Sequence, residues 1–350
     1  MPTTVVKTIG ATSSPTTPDY TSLAAWKAGC PANLVTADEI WEGQCLNQGE
    51  FTSASTLLTL SGITTDATRF VRLTTAAGAS FRDNAGVRTN PLNYDATKGV
   101  GIRCTGAYTI AISAAAIANC EFDNLQIEAS SNSASDIIDF SSSAAATLTM
   151  KDCLVVSKAT GRSCVNSSNF SNTFIAYNSL FVATSATVSP LATIACTVNV
   201  IGCTVISKSG VSPITANPYV TPTVIDTAMF GGGSATKALS VGSASLASCN
   251  HNATDSATAV GSANQTSLTF ASQFVSTTTD FRAASGGALP NNGATNSNIL
   301  VDISGTTRSL TTPTIGCWEV TSPPPPSVNF RTSLSGIGGR AGARQLQARN

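Results

Sequence analysis

The amino-acid sequence predicts an all-β protein that winds into a parallel β-helix. Residues 51–320 consist of short β-rich runs separated by Ser, Thr, Asn, Asp and Gly, without helical periodicity. Five of these runs, and a sixth more weakly, share a pattern in which a turn-type residue precedes a small side chain and then a larger one. The small side chains lie 33, 26, 24, 24 and 22 residues apart, at Cys120, Cys153, Ser179, Cys203, Thr227 and Cys249. Spacings of this size are typical of solenoid rungs.

The first fifty residues differ from the rest and predict a small N-terminal cap, 1–50, that contains a helix. A helical pattern covers residues 21–28, with Asp19 as the expected N-cap and Gly29 as the expected end. Residues 38–43 then alternate apolar and polar side chains, which predicts a strand.

In the body of the helix, residues 51–320, each column of the repeat has one structural role. Turn-type residues suit corners at which the backbone adopts the left-handed conformation. The small and the larger side chains that follow are expected to stack inside the coils. The expected corner residues are Asn119, Asp152, Asn178, Gly202 and Asp226, and the expected interior stack is Phe122, Val155, Phe181, Val205 and Met229.

The positions between the inward ones face outward and are also apolar, which predicts a ridge on the outside of the helix. A strand that is apolar on both faces is normally buried on both faces. We expect another subunit or another protein to cover this ridge; the alternative is a loop or the carboxyl-terminal tail of the same chain. The candidate interface side chains are Leu154, Val156, Leu180, Val182, Ile206 and Phe230.

Residues 321–350 predict a Pro-rich linker and a basic tail. Four consecutive prolines at 323–326 favour a stiff polyproline II spacer. The tail beyond them has arginines and no acidic residue, which favours an arm that docks on a partner over a disordered end. The docking residues expected there are Arg331, Arg340, Arg344 and Arg349.

Ten cysteines are spread along the chain, and most are expected to be buried thiols that act as small apolar side chains. Cys30 and Cys45 flank one predicted loop and strand. A disulfide between them is one prediction, and two reduced core thiols are the alternative.

Composition argues against several functions. Only 11% of the 350 residues are charged, the net charge is zero, and there is a single His. Nucleic-acid surfaces need clustered Lys and Arg, and acid–base sites draw mainly on His, Glu, Asp and Lys. The sequence has no CxxC pair of the kind that zinc sites favour and no apolar run of transmembrane length. We therefore expect no enzymatic activity, no cofactor or metal, and neither a nucleic-acid nor a membrane partner.

Individual polar residues point the same way. A glycan-cleaving β-helix needs carboxylates that converge on an outer groove. Glu121 and Asp123 share a face, but we expect them to form a polar rim over the ridge. Asp136 and Asp139 are three apart in a predicted strand and point to opposite faces. His251 is expected to be a hydrogen-bonded residue in the stack or at a turn.

Two blocks of sequence, one near each end, carry a family resemblance. The first contains Thr8-Ile9-Gly10, Asp19-Tyr20-Thr21-Ser22-Leu23, Ala25-Trp26 and Asp38-Glu39-Ile40-Trp41-Glu42-Gly43-Gln44-Cys45. The second contains Phe274-Val275, Asp280-Phe281-Arg282, Asp302-Ile303-Ser304-Gly305, Arg308 and Ile315-Gly316-Cys317-Trp318-Glu319. These blocks resemble the cap and the closing coils of the right-handed parallel β-helix structural proteins of tailed bacteriophages and prophages. The second block departs from the family at residues 286–290 and at Cys317.

The resemblance implies a right-handed helix and a virion or prophage structural protein that is often trimeric. With the ridge, it predicts a non-enzymatic homotrimeric capsid decoration or cement protein that contacts the major capsid protein or other virion proteins. Such a protein is made in the host cytoplasm and ends in the virion. The alternative is a tail-associated spike or fibre that binds, and in some cases cleaves, host-surface glycan. A secreted polysaccharide lyase is a third hypothesis. It is disfavoured because charged residues are scarce and because no secretion signal is recognised in the sequence.

Overall fold

The computed structural model describes residues 1–321 except for short gaps, and these residues form the predicted parallel β-helix. The gaps are residues 13–14, 107, 113–116, 131–134, 142–144, 185–187, 194–195, 209, 217–218, 233–236 and 243–244. The chain divides into two units, Met1–Val320 and Thr321–Asn350. Only Thr321 of the second unit is described, so the four expected docking arginines of the tail lie outside the described residues.

Three parallel sheets run along the helix, and the successive strands from β2 to β22 visit them in a fixed order. The first sheet contains β1 (Thr3–Ile9), β2 (Glu39–Cys45), β5 (Val71–Thr75), β8 (Asn119–Asp123), β11 (Thr147–Lys151), β14 (Thr173–Tyr177), β17 (Thr197–Ile201) and β20 (Thr223–Ile225). The second contains β3 (Phe51–Ser53), β6 (Gly101–Cys104), β9 (Gln126–Ala129), β12 (Leu154–Ser157), β15 (Leu180–Ala183), β18 (Thr204–Ile206), β21 (Ala228–Phe230) and β23 (Ala253–Thr254). The third contains β4 (Leu58–Leu60), β7 (Ile110–Ile112), β10 (Ile138–Phe140), β13 (Val165–Asn166), β16 (Leu191–Thr193), β19 (Ile214–Ala216) and β22 (Leu239–Ser240).

The helices are short and lie outside the sheets: α1 (Leu23–Ala28), α2 (Leu34–Ala37), a 3₁₀ turn (Phe81–Asp83) and α3 (Phe270–Gln273). Helix α1 ends at Gly29 as predicted, but the expected N-cap is wrong. The Ser22 hydroxyl accepts the hydrogen bond from the Ala25 amide, at 3.1 Å. The Asp19 carboxylate instead accepts hydrogen bonds from the amide and the hydroxyl of Thr8, at 2.7 and 2.9 Å.

Corners between the first and second sheets are made by single residues with positive φ, as the repeat predicted. Asp152, Asn178, Gly202 and Asp226 have φ of 52°, 48°, 62° and 54°. Asn119 is a wrong prediction, because it lies within β8 opposite Thr147 in β11. The true corner of that rung and the corner of the last one are Asn124 and His251, with φ of 56° and 51°.

The small side chain that follows the corners Asp152, Asn178, Gly202 and Asp226 has a polar role inside the helix. The backbone amide of Cys153 donates to the Ser179 hydroxyl of the next rung at 3.0 Å, and the amide of Thr227 donates to the Asn252 side-chain oxygen at 3.0 Å. Intermediate rungs repeat this contact with a thiol or a hydroxyl as acceptor. A buried amide without a partner is costly, which explains why this column holds Cys, Ser and Thr rather than Ala. In the last rung, Asn252 occupies this column, whereas the sequence pattern placed Cys249 there.

The larger interior side chains stack in register in the second sheet. Val155 lies beside Phe181, Phe181 beside Val205, and Val205 beside Met229. Phe122 belongs to a different column, because it lies in the first sheet beside Met150. All five side chains are fully buried, so the helix has a continuous apolar interior.

Candidate functional site

The predicted outer ridge lies on the second sheet, with its columns in register. Val156, Val182, Ile206 and Phe230 follow one another across β12, β15, β18 and β21. Leu154 and Leu180 begin a parallel column that continues through Thr204 and Ala228. In a strand these positions point away from the interior, so both faces of the second sheet are apolar here.

The chain itself covers this ridge. The segment 268–320, which we call the strap, runs over the outer face of the second sheet and contains no strand of the three sheets. Its apolar residues join the ridge and part of the 81–94 loop in one buried cluster. The strap members of that cluster are Phe274, Phe281, Ala283, Leu289, Ile303, Ile315, Cys317 and Trp318.

The expected partner surface is therefore corrected. None of the six candidate interface side chains is more than 4% exposed: Leu154, Val156, Leu180, Val182, Ile206 and Phe230. A second apolar face had to be covered, and that part of the inference is confirmed. The cover is the same chain, which was the alternative interpretation. The resemblance implied closing coils for the residues that instead form the strap.

A buried ion pair fastens the strap to the helix. The Arg308 guanidinium lies 2.8 Å from the Asp226 carboxylate, and the two side chains are 3% and 0% exposed. Arg308 also donates to the carbonyl of Gly316 at 2.7 Å and lies 4.0 Å from the Glu319 carboxylate. Burial raises the pKa of Asp226, and the adjacent Arg308 opposes that shift. The corner residue of a rung is thus tied to a strap residue 82 positions later in the chain.

Two further arginines, from the 81–94 loop, hold the strap. Arg88 lies 2.7 Å from the fully buried Asp302 carboxylate and 4.0 Å above the ring of Trp318. Arg82 lies 2.8 Å from the Asp152 carboxylate and donates to the carbonyl of Asp302 at 3.2 Å. The loop, the strap and the helix are therefore joined by charged groups as well as by apolar contact. Guanidinium groups suit such joints because they donate several hydrogen bonds from one plane.

The charged residues of the first sheet form a rim, but it does not border the ridge as expected. The Glu121 carboxylate lies 3.3 Å from Arg72 and 3.1 Å from Lys151, both on the same sheet. Burial, followed by the negative charges of Asp152 and Glu121, raises the pKa of Asp123 to about 6. Glu121 and Asp123 lie in the first sheet, whereas the ridge residues expected beside them lie in the second sheet. Glu121 is ion-paired, and Asp123 is held in a costly ionised state at neutral pH.

The cysteines are free thiols. Cys45 is fully buried and Cys30 is half-buried, where its thiol donates to the carbonyl of Pro31 at 3.5 Å. The predicted disulfide is therefore absent, and the alternative of two reduced thiols describes the structure. Burial raises the pKa of Cys30 to about 12 and raises that of Cys45 as well. Both thiols should therefore react slowly at neutral pH, because the thiolate is the nucleophilic form.

A cleft of about 810 Å³ opens where the strap passes the ends of β15 and β18. Its apolar floor includes Val182, Ile206 and Phe281, which also belong to the buried cluster. Residues of the strap around Phe270 form one wall, and Lys208 lies at the other. The sequence pattern did not indicate this cleft, because its two walls are about sixty residues apart in the chain.

Comparisons with known proteins returned no match, whether against family models, curated proteins or solved structures. Within the described ranges, no three His, Cys, Asp or Glu side chains are grouped so that they could hold a metal ion. No helix in the described part of the chain is both long enough and apolar enough to cross a bilayer. The single His, His251, lies at a corner, where its Nδ1 is 3.1 Å from the side-chain oxygen of Asn250.

Proposed function

We propose that this protein is a non-enzymatic structural component of a bacteriophage particle, and specifically a capsid decoration or cement protein. The observation that carries this proposal is the strap, which seals the outer ridge through buried arginine–carboxylate pairs such as Arg308–Asp226. A long solenoid that is apolar on both faces of one sheet and covered by its own chain is a self-sufficient rigid body. Rigidity of this kind suits a protein that reinforces a capsid shell.

The arrangement of charge supports the same proposal. Several acidic side chains on the outer faces of the sheets are paired with cations. Glu121 lies between Arg72 and Lys151, and Glu128 contacts Lys158 and lies 3.9 Å from Arg103. Carboxylates held in this way are poorly placed to act as general acids or bases, because cations of the same chain already occupy the positions around their oxygens.

The proposal includes a homotrimer that contacts the major capsid protein or other virion proteins. The resemblance of the terminal blocks supports it, and a threefold position on a capsid would match a trimer by symmetry. Because the ridge is buried, the contacts must use other surfaces of the helix or the basic tail, with Arg331, Arg340, Arg344 and Arg349.

Quantitative gel densitometry of purified particles, with sedimentation of the isolated protein, tests this function. We expect a trimer in solution and a copy number that is a substantial fraction of that of the major capsid protein. A protein present in only a few copies per particle would contradict a general decoration role. Particles that lack the protein should lose resistance to heat or low salt, which distinguishes reinforcement from passive attachment.

A second candidate is a tail-associated spike or fibre that binds host-surface glycan. The specific observation that favours it is the cleft beside the strap, which has a size and a mixed lining suited to a ligand. This candidate predicts few copies per particle and inhibition of host adsorption by the purified protein. Adsorption that is unaffected by saturating protein would exclude it.

A further inference from the structure

The cleft beside the strap has the dimensions of a ligand site. Its volume of about 810 Å³ lies within the range of roughly 300–1,000 Å³ that is usual for small-molecule sites. Its floor is formed by well-packed elements, because Val182 and Ile206 are sheet residues and Phe281 is a strap residue buried in the same apolar cluster. The floor therefore keeps its shape whether or not a ligand is present.

An aromatic platform forms part of the strap wall. Phe270 is half-buried, and its ring lies 5.7 Å from that of Phe230 and 5.5 Å from that of Phe274. These two neighbours fix its orientation, so the exposed part of the ring presents a fixed apolar surface to the cleft. Flat apolar surfaces of this kind pack against the C–H faces of ring-shaped ligands.

Hydroxyl groups line the same cleft. The exposed Thr269 and Thr277 are among them, and their hydroxyls make no hydrogen bond within the described ranges of the chain. A purely lipid-binding cleft would be apolar throughout, whereas this lining combines apolar surface with hydroxyl donors and acceptors. That combination matches a saccharide, which has C–H faces and hydroxyl edges.

The cleft also has an available cation. Lys208 lines it, is exposed, and forms no ion pair within the described residues. The acidic side chain in the same lining, Asp255, accepts hydrogen bonds from the Gly231 amide with both carboxylate oxygens, at 3.0 and 3.1 Å. The lysine is therefore the charged group best placed to meet an anionic ligand.

We propose that this cleft is a binding site for an acidic oligosaccharide, with sugar rings packed on Phe270 and an acidic group held by Lys208. The inference rests on the second candidate function and identifies the class of glycan and the residues that would bind it. It is independent of the decoration role, because a capsid protein can also carry a glycan site.

Isothermal titration of the full chain with hexagalacturonate, oligosialic acid, maltohexaose and dodecanoate tests the proposal. We expect at least one acidic saccharide to bind more tightly than maltohexaose. Lys208→Gln should weaken acidic-saccharide binding by about tenfold, which corresponds to about 1.4 kcal/mol, and leave maltohexaose unchanged, because only the acidic ligand loses a charge-assisted hydrogen bond. Ala271→Trp, at an exposed position in the lining, should fill the cleft and abolish binding.

Controls separate the site from general effects. Lys237→Gln removes an exposed positive charge outside the cleft and should leave all affinities unchanged. Thermal melting of each variant establishes that it is folded. The proposal is overturned if no acidic saccharide binds, if only dodecanoate binds, or if Ala271→Trp binds as the wild type does. Particle copy number is measured separately, so failure here leaves the test of the decoration role intact.

Discussion

Replacing Arg308 by alanine removes the positive charge that neutralises Asp226 beneath the strap. Both side chains are almost entirely buried, and the guanidinium also donates to the carbonyls of Gly316 and Thr314. Breaking a buried ion pair by deleting one partner typically costs about 3–5 kcal/mol, because the remaining charge is left without compensation. We therefore expect the strap to remain on the ridge at neutral pH but to open much more often.

Hydrogen–deuterium exchange measures that opening directly. The amide of Ile303 donates to the carbonyl of Cys317, and the amide of Ile315 donates to that of Leu289, at 2.9 and 3.0 Å. If these amides exchange by strap opening, a loss of about 3–5 kcal/mol accelerates their exchange by roughly a hundredfold or more. Interior amides such as that of Phe181 should change far less, because the coils do not depend on Arg308.

Two companion variants make the reasoning refutable. Adding Asp226→Asn to Arg308→Ala should restore part of the protection, because position 226 then no longer buries a carboxylate that has lost its cation. Asn also tolerates the positive φ of that corner. Arg69→Ala, which breaks an ion pair at the surface with Asp66, should leave strap exchange unchanged. The account is refuted if Arg308→Ala exchanges as the wild type does, or if the double variant recovers nothing.

Three further outcomes follow from the same geometry. Val182→Asp and Ile206→Asp should each lower the free energy of unfolding of the isolated chain by about 3 kcal/mol or more in denaturant titrations, because each buries an unpaired charge. If stability is unchanged and a trimer is lost, the ridge is a partner interface after all. Asp123→Asn should raise the melting temperature at pH 7.5 and not at pH 4. The folded pKa of about 6 lies above the ordinary value, so wild-type stability falls as pH rises through that range, and equal effects at both pH values would contradict this. Under native conditions Cys30 should react with a thiol reagent only slowly, and all ten cysteines should react after denaturation without reductant; fewer than ten would indicate a disulfide.

Much of the rung architecture could be predicted because the requirements of a corner are local. A residue that must adopt positive φ is most often Asn, Asp or Gly, and Asp152, Asn178 and Gly202 show that preference directly. The error at Asn119 has an equally local cause. In that strand Cys120 and Phe122 alternate inward as the residues after a corner do, so the side-chain pattern alone does not separate the two sheets.

The site was less predictable, because its parts come from distant stretches of chain. The second block of sequence contained Arg308, Asp302 and Trp318, but the resemblance placed them in closing coils. Arg88 had no sequence signal at all, since its partners are more than two hundred positions away. The cleft depends on how the strap lies across β15 and β18, which no periodicity within either segment encodes.

The sequence by itself determined that this chain forms a coil of stacked strands and that one outer face must be covered. Both follow from side-chain chemistry at short range: which residues tolerate a corner, and which faces avoid water. Only the tertiary structure decided what covers that face. Burial of apolar surface is non-directional. The sequence pattern of the ridge is therefore equally compatible with a cover formed by a partner and with one formed by a distant segment of the same chain. The buried ion pair between Arg308 and Asp226 selects the segment of the same chain as the cover. Charged groups that are removed from water require specific partners at specific distances.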